Sequence, residues 1–484
     1  MFGGRSGRRG RDYGGGSGAG WRRRQRPRHL RLRGWITVGI LCGFLGTMGV
    51  VALHRLATPG LWVASGGGAP PAVSAAPGPN SASPVPVELL LRLPAGRDDF
   101  ELARAGAEDV DPVASPRLME RLSVPPDRPD LPGPLRVEYS LDAELTRRVF
   151  RVLRAGRVTR GHVIALDPNT GRVLAYASTD PEQFPSTRAY PAASLVKVVT
   201  AAAALEHAPD TARVPCRYRG SPYRLTRSRL RPPRNGHEVS LERSLATSNN
   251  QCFAQLAVNV VGLDVLLTTI TRFGWLEEPA PGHAAGIISA GEDDYGLGRL
   301  GCGLGRCSIT PLHAAQLAAS LVHGELVEPW WIDRVVDGNE RELALPRRRP
   351  GRRIMAPELA DELRDMLVRT TASGTARSAF RDRRGRPKLR DIRVAGKTGN
   401  ITGRDPSGRY EWFIGVAPAE APTVAIVVLQ LQGDLWWRRS SEIAADLLVE
   451  IFCERGSCSP ELASRFTGSL GGAVAPMLLS ESGQ

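Results

Sequence analysis

Three short motifs contain the side chains that could carry out covalent chemistry. In chain order they are Ser194-Leu-Val-Lys197, Ser248-Asn249-Asn250 and Lys397-Thr398-Gly399. A serine hydroxyl becomes a useful nucleophile when a neighbouring base takes its proton, and a lysine can do so once its own proton is lost. Residues three apart share one face of a helix, so Ser194 and Lys197 should lie within reach of each other. The motifs predict acyl transfer through a serine nucleophile.

Each motif is weak alone, because a serine and a lysine at this spacing most often lie on a solvated helix face. Their surroundings strengthen the prediction. Residues 391–397 read as a strand leading into the third motif, followed by strands at 410–416 and 423–431. The second motif lies in a helical pattern, in which adjacent asparagines are poor helix formers. The three motifs together favour a catalytic site over coincidence.

The remaining elements predict the fold that positions these motifs. A helical run over 145–153 precedes two strands joined at Pro168-Asn-Thr-Gly171, a composition typical of a hairpin turn. Residues 192–207 indicate an apolar helix with Ser194 near its start. A mostly helical middle then extends to about residue 372, interrupted by an Arg/Pro-rich loop, and a helix at 441–452 follows the late strands. This order predicts an α/β fold with two subdomains.

The motifs resemble those of penicillin-binding protein transpeptidase domains, a serine D,D-peptidase and β-lactamase-like family. The likeness covers about residues 135–455 and includes 160–177, Gly303-Leu-Gly305, 309–314, Ser373-Gly-Thr-Ala376 and 412–418. It implies an antiparallel five-stranded sheet flanked by helices, with a mostly helical subdomain. The stretch before residue 135 is too short for a glycosyltransferase domain, so we expect the monofunctional class.

The resemblance also implies a role for each catalytic residue. Ser194 would be the acylated nucleophile, at a helix N-terminus that favours developing negative charge. Lys197 would be its base, provided that burial and the nearby cation of Lys397 lower its pKa. Ser248 would relay the proton to the leaving amine. Asn250 would hold the peptide amide of the donor through its paired donor and acceptor atoms.

The third motif is implied to bind substrate. Thr398 and Lys397 would hold the terminal carboxylate of the substrate, and Gly399 would permit close approach along the strand. The backbone N–H groups of Ser194 and Asn400 would form the oxyanion hole. No cofactor is implied. A metal site is not expected either, because none of the eight histidines forms a ligand-like spacing with cysteines.

The sequence departs from the family pattern at all three motifs. Ala192-Ala193-Ser194 stands where the family usually has Pro-Gly-Ser, and Asn400 stands where it usually has Thr or Ser. Neither removes a catalytic group, but Asn400 replaces a hydroxyl that contacts the substrate carboxylate, which leaves donor preference and rate open. Asn249, where the motif usually has Asp, is interpreted as a cap or turn residue rather than a catalytic one.

The predicted activity is that of a peptidoglycan D,D-transpeptidase. It would form an acyl-enzyme with stem peptides ending in D-Ala-D-Ala, transfer the acyl group to an acceptor amine and be inhibited covalently by β-lactams. A D,D-carboxypeptidase would use the same residues with water as the acceptor. A β-lactamase is less favoured, because no Glu-x-x-Leu-Asn stretch of the class A kind is found. A non-catalytic scaffold in a cell-wall synthesis complex is the remaining alternative.

The first 53 residues predict a location. Residues 1–33 contain eleven arginines and one aspartate, a large part of the net charge of +15. Residues 34–53 are uncharged and about long enough to cross a bilayer. Arginine beside a first apolar span holds that end in the cytoplasm. We expect a cytoplasmic arm rather than a nucleic-acid binder, and one uncleaved transmembrane anchor in the inner (cytoplasmic) membrane with a periplasmic catalytic domain.

Flanking segments and cysteines complete the predictions. Residues 54–134 indicate a tether with a small linker region: 54–86 are rich in Gly, Ala, Pro and Ser, and 87–134 contain short apolar and acidic patches broken by prolines, compatible with a small helical cap or with partial disorder. Residues 456–484 indicate a disordered tail. Six cysteines follow the anchor. The close pairs Cys302/Cys307 and Cys453/Cys458 suggest short loops and would leave Cys216 with Cys252, although six cysteines allow fifteen pairings and free buried thiols are equally compatible.

Overall fold

The computed structural model describes residues 83–108, 117–433 and 437–467. The predicted arm at 1–33 and the predicted anchor at 34–53 lie outside these residues. Within the described ranges, no single helix has the length and apolar character needed to cross a membrane. Two consecutive helical segments, Asn250–Val261 and Leu263–Arg272, meet that test only as a pair, and they are bent by 105° relative to each other.

Thirteen α-helices lie within the described ranges. They are α1 (Val87–Leu90), α2 (Arg97–Glu108), α3 (Ala143–Ala155), α4 (Val196–His207), α5 (Pro209–Arg213), α6 (Leu241–Ala246), α7 (Asn250–Leu256), α8 (Leu263–Arg272), α9 (Asp294–Cys302), α10 (Pro311–His323), α11 (Pro357–Ala372), α12 (Ser440–Phe452) and α13 (Ser464–Thr467). Three short 3-10 helices lie at Ala193–Leu195, Arg227–Leu230 and Pro460–Ala463. A π-helical turn, Ala257–Val261, follows α7.

The described strands alternate with these helices. They are β1 (Arg117–Leu122), β2 (Leu135–Asp142), β3 (Gly161–Leu166), β4 (Val173–Ser178), β5 (Tyr190–Pro191), β6 (Cys216–Tyr218), β7 (His237–Val239), β8 (Ile287–Ser289), β9 (Arg306–Ile309), β10 (Glu325–Leu326), β11 (Ile332–Val336), β12 (Arg352–Arg353), β13 (Ala395–Arg404), β14 (Ser407–Ala417), β15 (Val424–Gln432), β16 (Cys453–Glu454) and β17 (Ser457–Cys458).

A five-stranded antiparallel sheet is the centre of the fold. Its strand order is β13-β14-β15-β3-β4, so the late strands join the early hairpin as predicted. The hairpin turn ends at Gly171, whose φ is +78° and whose Cβ position would lie 2.1 Å from the carbonyl oxygen of Glu328, so only glycine fits there. Every residue of β3, β4 and β15 is buried. Helices α3 and α12 pack on the sheet as one pair, and α10 and α11 as another.

The helical subdomain is built around α4. Its residues from Val196 to Leu205 are all buried, and it contacts α5, α7, α8, α9 and α11. A helix that is apolar on every side packs inside other helices. The predicted helical middle is therefore confirmed. The same stretch also contains the strands β6 to β12, which the helical pattern did not predict.

Part of the predicted linker is folded onto the domain. Strand β1 pairs with β2, and β11 pairs with the other edge of β2. Glu120 on β1 accepts hydrogen bonds from the hydroxyl of Tyr139, at 2.8 Å, and from Nε of Arg92, at 2.7 Å. Because these contacts join β1 and the N-terminal helices to β2, the ordered domain begins before residue 135.

Regular structure also continues past the predicted boundary at residue 455. Strands β16 and β17 form a hairpin, and α13 follows with Phe466 buried. The guanidinium of Arg465 donates to the carbonyl oxygens of Glu450 and Ile451, which fastens this segment to the end of α12. Residues 456–467 are therefore folded. The rest of the predicted tail lies outside the described residues.

Candidate active site

Ser194 lies in the 3-10 turn that leads into α4, close to the predicted helix start. The preceding residue, Ala193, has a φ of 50°, a left-handed conformation that is uncommon and strained for a residue with a Cβ. Gly303 supports this turn from behind. Its φ is +82°, and a Cβ there would lie 2.0 Å from the carbonyl oxygen of Ala193. The Gly303-Leu-Gly305 segment therefore shapes the turn that presents the serine.

Lys197 is the fully buried side chain next to this serine. Its Nζ lies 2.7 Å from Oγ of Ser194, 2.6 Å from Oδ1 of Asn250 and 3.2 Å from Oγ of Ser248. Burial disfavours the charged ammonium and lowers the pKa of Lys197 to about 8. The ammonium therefore loses its proton much more readily than that of an exposed lysine.

The partners of Lys197 decide where its lone pair is available. A neutral amine has two N–H bonds and one lone pair. Oδ1 of Asn250 and the carbonyl oxygen of Ser248, at 3.3 Å, can only accept, so they take the two N–H bonds. The lone pair is left for a hydroxyl, and that of Ser194 is the nearer one. This arrangement can remove the proton of Ser194.

The second motif lies between two helices. Helix α6 ends at Ala246 and α7 begins at Asn250, which corrects the continuous helical pattern. Ser248, between them, has a φ of 57°. Oδ1 of Asn249 accepts from the backbone N–H of Cys252 at 3.2 Å, so this side chain caps α7. The interpretation of Asn249 as a cap residue is confirmed. The break between α6 and α7 allows its two neighbours, Ser248 and Asn250, to contact the amine of Lys197.

The third motif approaches from the sheet. Strand β13 begins at Ala395, four residues later than predicted. Lys397 is fully buried, and its Nζ donates to Oγ of Ser248 at 3.0 Å and to the carbonyl oxygen of Thr398 at 2.8 Å. A Cβ at Gly399 would lie 3.4 Å from the backbone nitrogen of Ser194, so the strand passes beside the nucleophile. Asn400 follows on the same strand and is exposed.

The two lysines form one electrostatic unit. Both lie within hydrogen-bond distance of Oγ of Ser248. Burial and the charge of Lys197 lower the pKa of Lys397 well below its usual value. Groups this close titrate as a pair, and a proton on one disfavours a proton on the other. The five predicted catalytic residues are thus gathered into one hydrogen-bonded network.

Two contacts at the site were not predicted from the sequence. Oγ1 of Thr375 lies 2.6 Å from Oγ1 of Thr398, and the backbone N–H of Thr375 donates to the carbonyl oxygen of Ala246 at 3.1 Å. The Ser373-Gly-Thr-Ala376 segment was recognised as part of the likeness, but without a role. The second contact runs from Nδ2 of Asn250 to the carbonyl oxygen of Tyr223, at 2.9 Å. A contact to a backbone carbonyl leaves no signal in the sequence.

The cysteine pairing was predicted only in part. Cys216 is bonded to Cys252, and Cys453 to Cys458, as expected. The expected Cys302–Cys307 bond is wrong, because both are free, buried thiols. Cys302 ends α9 with its thiol donating to the carbonyl oxygen of Arg299 at 3.5 Å, whereas Cys307 lies in β9 beside the side chain of Trp275. Across the described ranges, no group of three or more His, Cys, Asp or Glu side chains could hold a metal ion.

Comparison with known proteins identifies the family. The profile of the penicillin binding protein transpeptidase domain matches residues 161–452, well over half of the chain. The chain belongs to the penicillin-binding protein transpeptidase family. That match contains all three motifs and the whole five-stranded sheet.

Individual relatives are more distant. The peptidoglycan D,D-transpeptidase PbpA of Mycobacterium tuberculosis is 27% identical over 315 residues, 57% of this chain and 62% of that protein. PbpA of Mycolicibacterium smegmatis is 28% identical over 318 residues, with the same shares. The chain thus spans about three-fifths of the length of these relatives. The crystal structure of M. tuberculosis PBPA has a similar fold, with a TM-score of 0.54 and 24% identity over 65% of this chain and 79% of that one.

Proposed function

We propose that this protein is a peptidoglycan D,D-transpeptidase that forms an acyl-enzyme on Ser194. The observation that carries the proposal is the position of the buried Lys197 amine, 2.7 Å from Oγ of Ser194, with its N–H bonds directed to acceptors. A base with a pKa of about 8 is well matched to neutral pH. The name of the mycobacterial relatives gives further support, over the part of them that the chain spans.

The acylation step follows from these positions. Oγ of Ser194 attacks the carbonyl carbon between the two terminal D-alanines, and its proton passes to Nζ of Lys197. The backbone N–H groups of Ser194 and Asn400 stabilise the oxyanion that forms. The C–N bond then breaks, and Ser248, hydrogen-bonded to both lysines, relays the proton to the departing D-alanine amine. Asn250 holds the peptide amide of the donor.

Transfer regenerates the enzyme. The amine of an acceptor stem peptide attacks the ester carbonyl, and its proton is taken up by the Ser248–Lys197 pair. The bond to Oγ of Ser194 then breaks, and Lys197 returns a proton to Oγ, which restores the serine hydroxyl and the neutral amine. A β-lactam would enter the same first step, in which its strained amide opens and remains attached to the serine. Both ligand classes thus depend on the same hydroxyl.

Through Lys397, the substrate carboxylate can influence the protonation state of the catalytic lysine, Lys197. A carboxylate beside Lys397 would favour the charged form of that lysine, because opposite charges nearby stabilise each other. When Lys397 is charged, protonation of Lys197 is disfavoured, because both amines lie within hydrogen-bond distance of the same hydroxyl, that of Ser248. Binding of the substrate would therefore leave Lys197 as the neutral base.

The first experiment asks whether Ser194 is acylated. Labelling with a fluorescent penicillin should mark the wild type and fail for Ser194→Ala and Lys197→Ala, with thermal unfolding as the check on folding. Ser457→Ala, at an exposed serine in β17, is the matched control and should label normally. Mass spectrometry should locate the adduct on Ser194. An adduct elsewhere would overturn the mechanism, and the absence of any adduct would favour a non-catalytic scaffold.

The second experiment separates transfer from hydrolysis. The protein is incubated with a peptide ending in D-Ala-D-Ala, with and without an amine acceptor. A cross-linked product that grows with acceptor concentration is expected from a transpeptidase. Release of D-alanine with only the hydrolysed peptide as product, at every acceptor concentration, would instead identify a D,D-carboxypeptidase.

The proposed location is the outer side of the inner membrane, with residues 34–53 as a single anchor and residues 1–33 in the cytoplasm. The uncharged span and the arginines before it support this orientation. The two disulfides fit an oxidising compartment such as the periplasm, where other cell-wall synthesis proteins would be potential partners. Protease added outside spheroplasts should degrade the catalytic domain. Protection of that domain would contradict the orientation.

A further inference from the structure

A loop beside the candidate active site carries an unusual concentration of positive charge. Residues 217–234, here called the arginine loop, contain seven arginines and no acidic residue. A run of like charge most often lies on a solvated surface without further function. Such a run repels itself, so a loop that keeps it in one place must be held by other contacts.

The arginine loop is fastened to the helix that begins with Asn250. Four side-chain amides on α7 and the following turn donate to backbone carbonyls of the loop: Asn250 to Tyr223 at 2.9 Å, Gln251 to Ser221 at 2.6 Å, Gln255 to Arg229 at 3.0 Å and Asn259 to Leu230 at 2.9 Å. The Cys216–Cys252 disulfide joins the base of the loop to the same helix. The loop is therefore held in a fixed place relative to the catalytic residues.

Some of the arginines hold the loop or its neighbours. Arg217 pairs with Glu238, and Arg227 with Asp293 at 2.5 Å. Arg229 donates to the carbonyl oxygens of Ser221 and Arg224, at 3.3 and 2.6 Å, and so closes the loop on itself. These three guanidinium groups therefore have structural partners.

The other four guanidinium groups do not. Arg219, Arg224, Arg231 and Arg234 are all exposed, and within the described ranges no acidic side chain forms an ion pair with them. Other exposed arginines of this domain are often paired, for example Arg352 with Glu277 and Arg353 with Glu325. The unpaired charge in the arginine loop is therefore available to an external anion.

The loop meets the site through a chain of direct contacts. The carbonyl oxygen of Tyr223 accepts from Asn250, whose Oδ1 lies 2.6 Å from Nζ of Lys197. The backbone N–H of Asn250 donates to the carbonyl oxygen of Pro222 at 3.0 Å. Tyr223 is 54% exposed, and Arg224 follows it directly. A peptide strand held by Asn250 thus lies next to Arg224, and the rest of the arginine loop continues along the same helix towards Gln255 and Asn259.

We propose that the arginine loop binds free carboxylates along the peptide strand that reacts at Ser194, and so makes the enzyme selective for acidic rather than amidated stem peptides. The proposal rests on the proposed function. A guanidinium matches a carboxylate with two parallel hydrogen bonds, and it keeps its charge at every physiological pH. Selectivity arises because an amide at the same position is uncharged and is therefore not attracted by the arginines.

The test compares two synthetic peptides of one sequence ending in D-Ala-D-Ala. One carries free side-chain carboxylates, and the other carries amides in their place. The wild type should use the acidic peptide with a kcat/KM about fivefold higher, the sum of a few exposed charge pairs. The variant Arg224→Gln/Arg231→Gln/Arg234→Gln should bring the ratio of the two kcat/KM values close to one. The wild-type preference should shrink in high salt, because exposed charges are screened.

A matched variant controls for net charge. Arg121→Gln/Arg383→Gln/Arg384→Gln removes three positive charges from other exposed arginines without described ion pairs, and it should keep the wild-type ratio. Three outcomes would each overturn the inference. They are a kcat/KM ratio that is unchanged in the loop variant, a fall in that ratio of the same size in both triple variants, and equal kcat/KM values for the two peptides in the wild type. Labelling of Ser194 by penicillin tests the proposed function separately, so failure of one is distinguishable from failure of the other.

Discussion

Asn250 orients Lys197 through an amide that has only one possible orientation. Its Oδ1 lies 2.6 Å from Nζ of Lys197, while its Nδ2 donates at 2.9 Å to the carbonyl oxygen of Tyr223. A carbonyl can only accept, so Nδ2 must face Tyr223 and Oδ1 must face the lysine. The lysine therefore meets an acceptor here, which leaves its lone pair for a serine hydroxyl.

Replacing this amide with a carboxylate should weaken the base. In Asn250→Asp, a negative charge beside Lys197 raises the pKa of the lysine from about 8. A rise of about one unit leaves about tenfold less neutral amine at pH 7. The rate of acylation by penicillin should fall about tenfold at pH 7, and the part of the profile that rises with pH should move about one unit higher.

The adjacent asparagine provides the control. Asn249→Asp keeps a capping oxygen at the start of α7, where Asn and Asp are about equally effective. Its acylation profile should match that of the wild type within about twofold. If Asn250→Asp shows a rate loss of the same size at every pH, the amide acts on substrate binding alone and not on the pKa of Lys197.

Thr375 should position the third motif. Its hydroxyl lies 2.6 Å from that of Thr398, and its backbone N–H donates to Ala246 near the end of α6, so it links the second motif to the third. Thr375→Val keeps the shape and removes the hydroxyl. We expect a three- to tenfold loss in kcat/KM for a D-Ala-D-Ala peptide, about 1 kcal/mol for one hydrogen bond. The loss should appear mainly in KM, because Thr398 is proposed to bind the carboxylate.

Thr375→Ser distinguishes this role from a packing effect. It restores the hydroxyl while removing a methyl group, and it should recover most of the lost kcat/KM. If the serine variant is as impaired as the valine variant, the methyl contact matters and the hydroxyl bond does not.

The sequence predicted the local parts of the site better than the long-range ones. Ser194 and Lys197 are three residues apart, and helical geometry alone brings them together. Thr375 and Thr398 are 23 residues apart, and their contact depends on how the chain returns from α11 to β13. The individual strands were predictable for the same reason as the helices, because alternation and apolar runs are local signals, whereas their pairing into one sheet was implied by the family resemblance.

The cysteines also show that distance along the sequence is a poor guide to contacts in the structure. Cys302 and Cys307 are close in sequence yet unbonded, whereas Cys216 and Cys252 are far apart yet bonded. Gly303 lies just after Cys302 and is required by the carbonyl oxygen of Ala193, not by the cysteines. The glycine after Cys302 therefore serves the turn that presents Ser194, and the short sequence distance between Cys302 and Cys307 does not predict a bond between them.

The two disulfides should differ in their contribution to stability. The Cys216–Cys252 bond spans 36 residues and the Cys453–Cys458 bond spans 5. In the chain-entropy description, a longer loop restrains the unfolded chain more, by about 4 and about 2 kcal/mol respectively. Replacing the first pair by alanine should therefore lower the free energy of unfolding more than replacing the second, as measured by urea denaturation. Equal losses in the free energy of unfolding would contradict this description.

The burial of the free thiol Cys302 can be checked separately. Alkylation of Cys302 in the folded protein would contradict its burial.

His162 should make stability fall as the pH falls. It lies on β3, fully buried, with its ring stacked 4.6 Å from that of Phe184, and neither ring nitrogen has a hydrogen-bond partner among the described residues. Burial disfavours the imidazolium and lowers the pKa of His162 from 6.5 to about 3. Below pH 6.5 His162 therefore binds a proton in the unfolded chain but stays neutral in the folded chain.

This difference in proton binding sets the direction and the pH window of the effect. The contribution of His162 to stability is intact above pH 6.5 and is lost progressively as the pH falls towards 3, by about 1.4 kcal/mol per pH unit. His162→Phe keeps a flat ring against Phe184 and cannot titrate, so the free energy of unfolding should fall less steeply between pH 6 and pH 4.5. His237→Gln, at an exposed histidine, should leave the wild-type slope unchanged. Equal slopes in the wild type and His162→Phe would mean that the buried imidazole gains its proton without unfolding.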